Sequence, residues 1–236
     1  AQAVPGRKEG RYIGMIEAGG VVQAVDAAGL LDGSTHWNKK DQKALEVWIT
    51  DFLDWFMNSD YGREEVQMRQ NHGTMFDVRV ARLALALGKT DLARKKLTSV
   101  KENRIARQIE PDGAQPMELR RTKSFNYSEM NLTGLTELAT LGEWVEADLW
   151  SYETADGRSI KRALEFLRPY VEKAPEGWPP PYWHFKQIVP FHPEILASAF
   201  RMASIGYQDK EYEAIVSQFP GFLESSFQLT HPKSYF

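Results

Sequence analysis

Between Asn38 and Ser59 the apolar residues Leu45, Trp48, Ile49, Phe52, Trp55 and Phe56 recur at steps of three and four, the repeat of one helix face. Asn38 stands where a cap belongs, so the spacing predicts an amphipathic helix over this stretch. From Met75 to Leu87 the chain is apolar nearly all round, as expected of a helix buried on several sides, and Gly88 ends it. A third, more basic helix is predicted from Asp91 to about Gln108, before Pro111-Asp112-Gly113 forces a turn. The pattern resumes at Met130, Leu135, Leu138, Ala139 and Leu141, and again at Ile160, Ala163, Leu164, Leu167 and Val171 behind Ser159 as cap. Four prolines and a glycine between Ala174 and Pro181 exclude regular structure, and the ring-rich stretch Trp178 to Phe185 follows as loop. A last helix pair is expected near 193 to 206 and 209 to 218. Nothing reads as a run of alternating strands. The fold class is therefore all-α, with helical hairpins stacked as a toroid or a solenoid.

Composition narrows the function. With 236 residues, 42% hydrophobic and 26% charged, the chain suits one compact domain. Net charge is -3 with no long block of either sign, so neither nucleic acid nor an anionic membrane is an expected partner. No apolar stretch approaches the roughly 20 residues that span a bilayer, and no leader opens the chain. Without cysteine there is no thiol nucleophile or disulfide, and the five dispersed histidines lack metal-ligand spacing, so no metal or other cofactor is expected. Seven tryptophans are compatible with stacking on sugar rings.

Two polar clusters interrupt the helical sequence, each at the mouth of a predicted buried helix: Arg69-Gln70-Asn71-His72-Gly73-Thr74, and Glu118 to Ser128. Read alone, Asn71 and His72 cap a first turn, while Arg120, Arg121 and Lys123 form a solvated basic face with Tyr127 in the core. Read together, the clusters supply an amide, an imidazole, a guanidinium and a phenol. Those groups suffice to remove a proton beside a carboxylate and expel an alkoxide.

In order and spacing, Asn71-His72-Gly73-Thr74 and the later Arg121-Thr122-Lys123-Ser124 with Tyr127-Ser128 resemble the alginate lyase superfamily. Gln2 to Gly6, Gly10-Arg11, Leu30 to Ser34, Ile109 to Gly113 with Gln115-Pro116, and Asp148-Leu149-Trp150 extend the likeness to about residue 205. Two positions depart from it: Gln70 and Arg79 stand where relatives often carry Asn and Gln. The resemblance implies an α/α toroid, a single domain over residues 1–236 that lacks N-terminal helices of the family, and a secreted or periplasmic enzyme acting on an anionic polysaccharide.

It further implies a lyase that breaks uronic-acid chains by β-elimination. Asn71 and Arg121 would neutralise the uronate carboxylate, His72 would assist or act as base, and Tyr127 would take the C5 proton or protonate the departing O4. Arg120 is the rival for the arginine role. A tyrosine serving as base needs neighbouring positive charge, for which Arg121 and His72 are the candidates. Arg11, Trp183, His184 and Gln187 would contact the substrate elsewhere. Two other readings stay open. An inverting glycoside hydrolase would use Glu118 and Asp77, and requires carboxylates about 6.5–9.5 Å apart. A non-catalytic carbohydrate-binding protein would need no such chemistry.

Overall fold

The computed structural model describes residues 10–172, 185, 186, 189 and 192–233. Among them there is no strand, only an isolated bridge at Lys123, and the protein is an all-α assembly as the periodicity predicts. A 3-10 turn, Tyr12–Ala18, leads into α1 (Gly19–Gly29), followed by α2 (Lys39–Asn58) and the short α3 (Asp60–Glu65). The central hairpin is α4 (Asn71–Ala86) with α5 (Thr90–Val100); α5 widens into a π-turn, Lys101–Ile105, and closes as α6 (Ala106–Gln108). Then come α7 (Pro116–Leu119), α8 (Ser124–Glu143), α9 (Ile160–Glu172), α10 (Ala197–Tyr207), α11 (Lys210–Val216) and α12 (Pro220–Leu223).

Local chemistry sets the boundaries. Asn38 accepts from the Lys40 and Asp41 backbone N–H groups while Asp41 accepts from the Asn38 N–H, a reciprocal cap that fixes the start of α2. Gly113 has φ +91, and a Cβ there would strike the Arg162 carbonyl, so the turn after Ile109 needs glycine to lie against α9. α4 starts at Asn71 rather than near Met75, because the Gln70 side chain accepts from the His72 N–H at 3.0 Å. Gln70 is therefore the cap, and Asn71 and His72 lie inside the first turn. α8 likewise starts at Ser124, so Tyr127 is helical; Ser124 is held by reciprocal bonds with the Lys186 backbone.

α4 and α8 carry the core. Phe76, Val80, Ala81, Leu83 and Ala84 on the first and Leu132, Leu135, Leu138 and Ala139 on the second are sealed from solvent. Each large side chain buried this way contributes about 1.5–3 kcal/mol. The two helices approach closely at Gly134, where a Cβ would meet the Thr74 methyl at 2.9 Å. α2 differs from expectation: Ile49, Leu53 and Phe56 are buried, but Trp48 and Trp55 remain 51% and 45% exposed. Its apolar stripe is wider than the surface α4 and the first turn can cover.

Candidate active site

Long-range hydrogen bonds bring the two polar clusters together. Glu118, buried on α7, accepts from the Asn71 backbone N–H at 2.5 Å and, through its two oxygens, from the Asn71 side-chain amide at 3.0 and 2.9 Å. Burial pushes the Glu118 carboxyl above its ordinary range, opposed by the Asn71 bonds and by the charges of Arg121 and His72. Glu118 thus lies within the field of both cations.

Beneath this pair is a layer of buried amides. Thr74 Oγ1 donates to Gln108 Oε1 at 3.0 Å; Asn131 Nδ2 donates to Gln108 Oε1 at 3.0 Å and to Gln115 Oε1 at 2.7 Å. Gln115 Nε2 in turn donates to the Ser128 carbonyl at 3.0 Å. Buried polar groups are costly without partners, so the first turns of α4 and α8 are held in one register.

His72 is positioned from α3. Its Nδ1 lies 2.7 Å from Oε1 of Glu65, whose side chain is only 1% exposed. A carboxylate can only accept, so Nδ1 carries the proton and Nε2 is left for a ligand. Arg121 donates its backbone N–H to the Glu118 carbonyl at 2.9 Å, and its guanidinium stands 3.9 Å from the Tyr127 ring centroid. Tyr127 is half-buried, and its hydroxyl has no partner among the described residues. Contacts therefore run unbroken from Glu65 through His72, Asn71, Glu118 and Arg121 to Tyr127.

Gly73 belongs to this construction. A Cβ there would lie 2.1 Å from the Met68 carbonyl oxygen and 2.6 Å from the Arg104 guanidinium. That space holds a clamp: Arg104 donates to Asp77 Oδ2 at 2.7 Å and to the Met68 and Val66 carbonyls at 2.9 Å each. The loop that delivers His72 is thereby tied to α4 and to the π-turn.

Two expectations need correction. Asn71 is fully buried and both its amide hydrogens face Glu118, so in this arrangement it offers no donor to a substrate carboxylate. The carboxylates of the hydrolase reading are likewise engaged: Asp77 is buried between Arg104 and Lys96, which approaches to 2.9 Å, and Glu118 is enclosed by Asn71. Of the two arginines, Arg120 is exposed with only the Met117 sulfur near it, at 3.9 Å, whereas Arg121 covers Tyr127. Arg11 precedes the first 3-10 turn, on a segment anchored by the Tyr61 hydroxyl donating to the Gly10 carbonyl at 3.2 Å. Trp183, His184 and Gln187 lie outside the described residues. Sequence spacing did not reveal Glu65, Gln108 or Asn131, whose partners are brought to them by the fold. Among the described residues, no group of three or more His, Asp or Glu side chains is placed to hold a metal ion.

The model of the family described as alginate lyase matches residues 1–178. Among solved structures, the crystal structure of an alginate lyase from Bacteroides ovatus is similar with a TM-score of 0.85 and 32% sequence identity. The match covers 100% of this chain and 61% of that one, so the chain spans less than two thirds of that relative's length. Comparison with curated proteins gives no match.

Proposed function

Because the chain belongs to the alginate lyase family, we propose that it cleaves a uronic-acid polysaccharide of the alginate or glucuronan type by β-elimination. The observation that carries this reading is the unbroken series of contacts joining His72 to Tyr127 through Asn71, Glu118 and Arg121. Elimination needs positive charge at the uronate carboxylate and a proton-transfer group beside C5, acting on adjacent atoms of one ring.

In this mechanism Arg121 and the Nε2 side of His72 face the carboxylate, stabilising the negative charge that develops when the C5–H bond breaks. Tyr127 takes that proton, the electron pair forms the C4–C5 double bond, and the C4–O4 bond cleaves as O4 receives a proton from the same phenol. Asn71 acts through Glu118, holding the start of α4 against α7, and is a positioning residue. Polymeric uronates are met outside the cytoplasm, and the enzyme is proposed to act there; a precursor retained in the cytoplasm would count against this.

Incubation with alginate or glucuronan should produce the ultraviolet absorbance of a 4,5-unsaturated uronate, a chromophore that neither a hydrolase nor a binding protein creates. Tyr127→Phe removes the hydroxyl but keeps the ring under Arg121. Turnover should fall about a hundredfold or more, the range of general acid–base catalysis, with thermal stability retained. Unchanged elimination by that variant would sink the mechanism.

A further inference from the structure

A cavity of about 100 Å³ opens between the loop before α4 and the π-turn, lined among others by Arg69, Asp77, Lys96, Asn103, Arg104 and Arg107. Four cations surround it against one carboxylate, in a protein whose net charge is -3. Asp77 is already engaged through both oxygens, with Lys96 at 2.9 Å and Arg104 at 2.7 Å. Arg104 is held further by the Val66 and Met68 carbonyls. Arg69 and Arg107 are exposed and have no hydrogen-bond or ion-pair partner among the described residues.

The cavity is built rather than incidental. The π-turn carries Arg104 inward, and Arg107, three residues on, shares its face of the helix at the rim. Arg69 is two residues from Asn71 and three from His72, so the rim adjoins the segment that delivers the imidazole. The buried Asp77 fixes two cations and leaves the charge of the two arginines uncompensated, an arrangement that recruits an oxyanion and repels a metal ion.

We propose that this cavity is an oxyanion subsite that takes the carboxylate of a uronate other than the one being cleaved. The proposal rests on the lyase reading above for the identity of its ligand, and makes the enzyme a reader of charge along the polymer. Arg69 and Arg107 would pair with the carboxylate directly, and the Asn103 amide and the remaining donors of Lys96 would complete its coordination.

The test uses binding rather than turnover, so that it stays informative if elimination is not observed. Sodium sulfate and sodium chloride are compared at equal ionic strength for their effect on the thermal midpoint. Affinity for an alginate hexamer is measured by calorimetry in the Tyr127→Phe background. Sulfate should raise the midpoint saturably, and Arg69→Gln with Arg107→Gln should abolish that response and weaken hexamer binding about tenfold, as the loss of two exposed ion pairs allows. A sulfate response unchanged in the double variant overturns the site. A response that is lost while hexamer affinity is unchanged overturns the uronate assignment and leaves a site for a free oxyanion. Absence of elimination by the wild type would count against the lyase reading alone.

Discussion

Replacing Glu65 tests whether its bond to His72 matters to the chemistry. The wild-type contact, 2.7 Å between Nδ1 and a buried carboxylate oxygen, is charge-assisted. Bonds of that kind contribute about 1.5–3 kcal/mol, against about 1 kcal/mol for a neutral pair. Glu65→Gln keeps an acceptor at Oε1 but removes the charge, so it forfeits about 1–2 kcal/mol of support for His72 in the transition state, or roughly 5- to 30-fold in kcat. Glu65→Ala forfeits the whole bond, roughly 10- to 150-fold. Stability should respond less to Gln than to Ala. Glu65 Oε2 is already buried without a hydrogen-bond partner, so the new amide exchanges one unsatisfied group for another, whereas Ala also opens a cavity. Initial rates come from the unsaturated-uronate absorbance, with the thermal midpoint as control. If kcat were unchanged in both variants while they remained folded, Glu65 would be only a packing residue and the positioning argument would be wrong.

Gly73→Ala should cost about 3 kcal/mol, since its Cβ meets a backbone carbonyl at 2.1 Å, and should lower both the thermal midpoint and kcat; a midpoint equal to wild type would show that the Arg104 clamp yields freely. Glu129 on α8 gives a pH signature. Burial raises its carboxyl to about 7, with Thr133 donating to it at 2.9 Å. For an acid raised on folding, stability is fully present below the ordinary value of 4.5 and is lost as pH climbs through about 7, here by up to about 3 kcal/mol. Denaturant midpoints at pH 5 and pH 8 should therefore differ in the wild type and converge in Glu129→Gln; an identical pH dependence in the two proteins would exclude this residue as the source.

The helices with strong apolar contrast were legible in the sequence. α2, α4, α5, α9 and the pair α10 and α11 follow from apolar spacing, and Asn38 and Ser59 do bound the first of these. Less contrast hid others: Gly19 to Gly29 is mostly small and apolar with two leading glycines, which gives no stripe to read. The early start of α4 depended on a glutamine cap, an unusual choice among capping residues. At the site, the motif residues were visible, but their supports were not. Glu65 reaches His72 from the preceding helix, Gln108 joins Thr74 to Asn131 across 34 and 23 positions, and Glu118 reaches back 47 positions to Asn71. Such bonds exist only after α4, α7 and α8 have packed, so no local pattern encodes them. Nor does spacing tell which way an amide faces, which is why Asn71 was expected to meet substrate and is found turned toward Glu118.

The π-turn at Lys101–Ile105 makes the site sensitive to chain length as well as to residue type. A π-turn accommodates one residue more than an α-helical turn would. Deleting any one residue from this stretch would let the helix close regularly, yet it would rotate everything after the cut by about 100° and draw it back by about 1.5 Å relative to α5. Arg104 could not then reach Asp77 while Gln108 reaches Thr74, because the two contacts require the longer path. Conservative substitutions along the outer surface of α5 and the π-turn should be tolerated where a single-codon deletion is not. The extra residue is thus a phase adjustment between two parts of one helix, and the register of the catalytic cluster is counted out in it.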